Sequence, residues 1–259
     1  MQDRLKYLMS LVKEQGLGVF LFSVLERYAA WPQWMFFRCF EKCEPRPAVS
    51  IPGLSARDKE TVLLDIIAQN KGSSFLEIGI GPVPNMKRAQ LLVDCKIKYT
   101  GCDWASACEK YNLKLKAGGV RHAFEFLPNE RGNYTWTLFE LMRNNRTFDI
   151  IYLDGSHTFY IDLPAACLSD ALLKPGGCLI LDDIDWSLED LKSMLKKDFH
   201  GWYFYRKMYN FAEYTKEQRQ AFHIKMIAED YLIPRCGYSL QKNMSNPAFY
   251  VLRKPVRCP

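Results

Sequence analysis

The sequence has no CxxC pair although nine of its 259 residues are cysteine. Neither a zinc ribbon nor a dithiol redox motif is therefore spelled out. An odd cysteine count with no signal-peptide pattern suits a reducing compartment better than a secreted disulfide framework, so a cytoplasmic location is expected. No unbroken apolar run approaches the roughly 20 residues that span a bilayer. Basic residues are in excess, with a formal charge of +6, yet they are scattered. Without a basic cluster, a nucleic-acid partner is not expected. There is no internal repeat, no low-complexity segment and no full GxGxxG, which argues against solenoids, disordered tails and NAD-dependent oxidoreductases.

The chain is organised around the stretch from Phe148 to Asp183. Two apolar runs, Asp149 to Leu153 and Cys178 to Leu181, have the length and composition of fully buried parallel strands, and both end in acid. Between them Tyr160 to Leu173 has helical apolar spacing, and Lys174-Pro-Gly-Gly177 stops it. The unit is βαβ. Parallel strands bring their C-terminal ends to one sheet edge, so Asp154, His157, Asp182 and Asp183 should emerge side by side. On neighbouring strands, about 4.8 Å apart, they would share one crevice.

The first 44 residues read as helical and strongly aromatic, with Tyr28, Trp31, Trp34, Phe36, Phe37 and Phe40 around Pro32. Such an arm suits packing on a sheet domain or a second subunit, and it also permits in-plane contact with a membrane. Cys39 and Cys43, at i, i+4 with no second pair, read as buried apolar thiols rather than ligands. Pro45 to Leu54 reads as a linker, dividing the chain into residues 1–54, an arm, and residues 55–259, one α/β domain. Ser55 is the expected cap of a helix through Ile67.

Ser74 to Ile78 opens the sheet and runs into Gly79-Ile-Gly81. A glycine pair lets the backbone turn sharply and approach a ligand closely. A second strand, Lys98 to Cys102, ends in Asp103, where an acid can hold two ribose hydroxyls. A third is expected over His122 to Leu127, then a helix from Thr135 to Arg143. Beyond Asp183, helices are expected over Ser187–Lys197 and Thr215–Tyr231. Trp202, Tyr203, Tyr205 and Tyr209 suit either a lid or burial against the sheet. Gly237 to Leu240 and Ala248 to Leu252 read as an antiparallel edge hairpin.

Over residues 55–254 this pattern resembles the class I S-adenosylmethionine-dependent methyltransferases. The resemblance is carried by Glu77-x-Gly79-x-Gly81, Asp103, Asp154 after the fourth strand, Lys174-Pro-Gly-Gly177 before the fifth, and the terminal hairpin. It implies a Rossmann-like, doubly wound α/β fold with a seven-stranded sheet and an antiparallel last strand, here preceded by the helical arm. It implies S-adenosylmethionine as cofactor, met by Glu77, Gly79, Gly81 and Asp103, with adenine near Leu127 to Asn129. Within that class, Asp154-Gly-Ser-His157 with Leu181-Asp182-Asp183 looks like the metal-dependent O-methyltransferases that modify sugars of macrolides and related glycosylated products. There the counterparts of Asp154, Asp182 and Asp183 hold Mg²⁺, and that of His157 is the base. Pro82 and Pro84 depart from the family's usual Gly, Ser or Thr.

The chemistry fits those residue types. An alcohol is a poor nucleophile; a hard cation on oxygen ligands orients a diol and acidifies its hydroxyl, and a neutral imidazole takes the proton. The expected partner is thus a small molecule with a hydroxyl, sugar-containing, and the chain is permitted to be a homo-oligomer. Catechol-type or metal-free methyl transfer and a catalytically silent cofactor-binding module are the competing readings.

Overall fold

The computed structural model describes residues 17–43, 53–120, 124–129, 133–206 and 211–256. These fall into two compact units. The larger, residues 47–187 and 221–259, contains a seven-stranded sheet of order β3-β2-β1-β4-β5-β7-β6. Its strands are β1 (Ser74–Ile78), β2 (Lys98–Trp104), β3 (Glu125–Asn129), β4 (Phe148–Leu153), β5 (Leu173–Leu181), β6 (Ser239–Leu240) and β7 (Tyr250–Arg253). Strands β1 to β5 are parallel; β7 inserts antiparallel between β5 and β6. The central strands are largely apolar because helices cover both faces, with Glu77 the buried exception in β1. One face is sealed by Val62, Leu63, Ile66 and Ile67 of α2 (Lys59–Gln69), by Leu92 of α3 (Met86–Asp94) and by Tyr111 and Leu115 of α4 (Ala105–Ala117). The other is sealed by Leu138 and Leu141 of α5 (Tyr134–Arg143) and Ala165, Ala166 and Leu172 of α6 (Phe159–Leu172).

Register decides where the chemistry lies. Ile78 is level with Cys102 on one side and Leu153 on the other, and Leu153 is level with Leu181. The ladder continues one step beyond each strand: Gly79 N–H donates to Cys102 O (2.8 Å), Asp154 N–H to Ile78 O (2.9 Å) and Asp182 N–H to Leu153 O (3.0 Å). Gly79, Asp103, Asp154 and Asp182 therefore stand at one height on four adjacent strands, Asp103 still within β2.

The smaller unit joins α1 (Leu17–Phe40) to residues 188–220, which include α7 (Leu188–Leu195) and α8 (Phe199–Tyr205). Trp34 is buried and donates its Nε1–H to Leu195 O (3.1 Å), and Trp31 packs edge-on to Phe199 with centroids 4.8 Å apart. Compact packing thus groups residues 188–220 with the arm, a long-range association that composition along the chain does not display. Trp202 is buried among Phe37 and Phe199 of this unit, and Tyr203 faces Glu26. Leu25, Tyr28, Phe36 and Phe40 of α1 are more than 60% exposed, and no described helix is long and apolar enough to cross a membrane.

Several boundaries differ from the sequence expectation. Asp58, not Ser55, caps α2: its carboxylate accepts the Thr61 N–H, while Ser55 Oγ accepts from Arg57 N–H. Cys39 is exposed, not buried. The helix expected over residues 215–231 is broken at Ala221–Phe222, where buried His223 turns its Nδ1 to the Phe159 N–H (3.0 Å). A π-helical turn, Ile227–Leu232, comes next. The third strand starts at Glu125; residues 121–123, residues 45–52 of the expected linker (45–54) and Tyr209 lie outside the described residues.

Candidate active site

The loop after β4 is shaped from below by a buried acid. Asp162, in the first turn of α6, is fully buried; its carboxylate accepts the Thr158 N–H (2.8 Å) and the Tyr134 hydroxyl, while Tyr134 Oη accepts the Ser156 N–H (2.9 Å). Burial raises the Asp162 pKa, and the Tyr134 bond opposes that rise. So clamped, the loop holds His157 at φ 57°, and the turn after β5 holds Asp183 at φ 47°. Left-handed backbone at a bulky non-glycine residue stores about 1–3 kcal/mol. Two such residues meet here: His157 Nε2 lies 3.3 Å from Asp183 Oδ2 and 3.8 Å from Asp154 Oδ1. His157 Nδ1 is buried without a hydrogen-bond partner.

The carboxylates divide into two sets. Outward, Asp154 Oδ1, His157 Nε2 and Asp183 Oδ2 form a group whose ligand atoms all lie within 4.8 Å of one another. Inward, Tyr152 Oη donates to Asp182 Oδ2 (2.6 Å) and lies 3.2 Å from Asp154 Oδ2, and Lys59 pairs with Asp182. Burial and the neighbouring Asp182 push the Asp154 carboxyl up to about 8. For Asp182, burial is the largest influence and raises the pKa, but Lys59, with the Tyr152 and Asp154 bonds, outweighs it and holds the group below its ordinary value. Burial also raises Asp183, against the pull of His157.

The glycine turn beside this crevice is dictated by packing. A Cβ on Gly79, which has φ +85°, would stand 1.7 Å from Asp154 O. Gly81, at φ +64°, has nothing within 4 Å of that position, and its N–H donates to Asp103 Oδ2 (2.7 Å). Burial raises the Asp103 pKa despite that bond and one from Trp104 N–H. Glu77 is placed differently. Its carboxylate turns inward, bound by Arg88 Nη2 (2.9 Å) and Tyr99 Oη (2.7 Å), and is 1% exposed. It braces β1, β2 and α3 together instead of meeting the edge; breaking such a buried pair costs about 3–5 kcal/mol. At the expected adenine region, Asn129 is buried and its amide faces Cys102 Sγ (3.7 Å).

Four residues of the site are not evident from the sequence: Lys59, Tyr152, Tyr134 and Asp162. Strand alternation could have found Tyr152, which shares a face with Asp154 two residues on. An acid in the first turn of a helix hints at Asp162. Nothing local ties Lys59 to Asp182, 123 residues away.

The donor set matches the implied cation in part. Carboxylate oxygens suit Mg²⁺, and an imidazole nitrogen broadens the choice toward transition metals. Asp154 and Asp183 fit this demand; Asp182, facing Lys59 and Tyr152, is not in the close group.

No family model matches the chain, and no curated protein matches it in sequence. Among solved structures it is similar to a candidate caffeoyl-CoA O-methyltransferase from Staphylococcus aureus, with 16% identity and a TM-score of 0.51, over 96% of this chain and 98% of that one. The fold is that of a methyltransferase. The likeness runs almost end to end at low identity. Similarity extends to TomG of Streptomyces achromogenes, an O-methyltransferase involved in tomaymycin synthesis and solved with S-adenosylmethionine: 16% identity, TM-score 0.49, 80% and 84% of the two chains. In this methyltransferase fold the clustered acids, His157 and the glycine turn share the carboxyl edge of the sheet, the edge where open α/β sheets bind ligands.

Proposed function

We propose that the protein is an S-adenosylmethionine-dependent O-methyltransferase acting on a hydroxyl of a small molecule, a sugar or glycosylated compound. The observation that carries this reading is the meeting of Asp154, His157 and Asp183 at the carboxyl edge of β4 and β5, beside the Gly79–Gly81 turn. S-adenosylmethionine, when bound, supplies an activated methyl group. Gly81 leaves open space for it, and Asp103 offers a carboxylate to its ribose hydroxyls. Glu77 acts on this site through the strands and helix it braces.

His157 Nε2 accepts the proton of the acceptor hydroxyl as its oxygen bonds to the methyl carbon and the carbon–sulfur bond breaks. Asp183, 3.3 Å away, stabilises the imidazolium until solvent removes the proton. Asp154 and Asp183 would hold Mg²⁺, with Asp182 as the third acid of the set; a bound cation supplies orientation and acidification of a vicinal diol. Positioning of oxygen and methyl in line carries the larger share of rate, with the base contributing about 10²–10⁴-fold.

The test has two parts. S-adenosylhomocysteine and then Mg²⁺ are titrated calorimetrically into wild-type and Asp183→Asn protein, and both proteins should bind the nucleoside while only the wild type binds the metal. With vicinal diols as acceptors, His157→Ala should lose about 10²–10⁴-fold in turnover while its S-adenosylhomocysteine affinity stays within twofold. No nucleoside binding sinks the methyltransferase reading; nucleoside binding without Mg²⁺ binding makes the enzyme metal-free.

A further inference from the structure

We propose that Lys59 is a tethered cation that competes with a divalent ion for Asp182 and so sets the metal affinity of the site. The inference rests on the metal reading above and deepens it. Asp182 leaves β5 as a carboxylate only 2% exposed, and a buried charge of that kind requires a counter-charge. Lys59, the first residue of α2, supplies it through its ammonium on Oδ2, the oxygen that also accepts from Tyr152.

The two partners differ in freedom. Asp182 is fixed by its strand, its backbone N–H bonded to Leu153 O. The Lys59 side chain is 39% exposed, on a flexible four-carbon stem at a helix start whose cap is made by Asp58, not by Lys59. Its ammonium also lies 6.0 Å from the centre of the Tyr152 ring. Lys59 can therefore leave for water without disturbing the helix or strand, whereas Asp182 cannot leave. An ammonium and a hard divalent cation want the same oxygen and repel one another. With Lys59 in place the site presents Asp154, His157 and Asp183; with Lys59 withdrawn it presents a third carboxylate.

The probes are Mg²⁺ and Mn²⁺, titrated calorimetrically into the full chain saturated with S-adenosylhomocysteine, with thermal midpoints recorded at each metal concentration. Lys59→Met should bind metal about 10–100-fold more tightly than wild type, the range by which groups around a metal site tune affinity. Its midpoint should rise more on metal addition, because the ion then neutralises Asp182. Lys59→Arg, which keeps a cation, should stay near wild type. The double variant Lys59→Met/Asp182→Asn removes both charges and should lose the gain. If Lys59→Met folds only with metal present, that dependence supports the competition, and the double variant carries the affinity comparison: an affinity at or below wild type supports it, a tighter one overturns it. Equal affinities in wild type and Lys59→Met, with binding lost in Asp183→Asn, would make Lys59 a structural counter-ion and leave the metal reading standing. No metal binding to any variant would remove both.

Discussion

At the scale of single residues, the two glycines of the turn after β1 do different work, and substitution separates them. Gly79 sits at φ +85° with the Asp154 carbonyl where its Cβ would go, at 1.7 Å. Gly81 is left-handed too but faces open space. Gly79→Ala should destabilise the protein by more than about 3 kcal/mol, since backbone must move as well as strain be absorbed. Gly81→Ala should cost about 1–2 kcal/mol, keep the fold, and weaken S-adenosylhomocysteine binding. Urea unfolding and calorimetry check both; equal stability losses would mean that the β1–β4 approach is not what demands Gly79. His157 belongs to this scale as well. Its residue type was legible in the sequence, and its left-handed backbone was not, because the loop is bent by Asp162 and by Tyr134, which arrives from a different helix.

At the scale of elements, the loop joining β4 to α6 is a clamp built from a helix start. Asp162 and Tyr134 pin Thr158 and Ser156, and that fixes the height of His157 between them. Tyr134→Phe removes the hydroxyl that both donates to Asp162 and accepts from Ser156. The expected outcome is a stability loss of about 1.5–3 kcal/mol, the range for a bond to a charged group. Turnover should fall about tenfold with S-adenosylhomocysteine affinity nearly unchanged. Steady-state kinetics beside urea midpoints would decide; an unchanged turnover would release the loop from any part in positioning the imidazole. The helix α1 shows what element-level patterning conveys and omits. Its aromatic content reads directly, but which rings turn inward, Trp34 against Leu195 and Phe199, depends on a partner segment some 160 residues later.

At the scale of the whole molecule, a half-buried acidic crevice makes stability depend on pH. Burial and Asp182 raise Asp154 to about 8, whereas an unfolded chain releases that proton near about 4. Between those values the unfolded state binds fewer protons, so this group makes stability fall as pH rises through the window, and the slope ends above about 8. Asp182, held low by Lys59, acts oppositely, its contribution being lost only as the pH falls below about 4. Urea midpoints should therefore decline from about pH 5 to about pH 8 in the metal-free protein. Saturating Mg²⁺, which favours the ionised carboxylates, should flatten that decline. A midpoint rising with pH and indifferent to Mg²⁺ would contradict the burial of an acid pair at this edge.

The sequence by itself determined the sheet and the edge at which the candidate site residues meet. Apolar runs ending in acid, a glycine turn and a terminal hairpin are local signals, and parallel strands must deliver their ends to one edge. The placing of Asp154, His157, Asp182 and Asp183 came from that rule. Tertiary structure decided how those groups are shared out. Glu77 turned inward because Arg88 and Tyr99 arrive from α3 and β2. Asp182 was drawn to Lys59 and Tyr152, leaving Asp154, His157 and Asp183 as the open set. The grouping of residues 188–220 with the arm was likewise invisible to reading in order. Spacing along a chain fixes which residues share an element. Which charges face one another depends on elements that meet only on folding, where burial makes each carboxylate depend on the nearest cation.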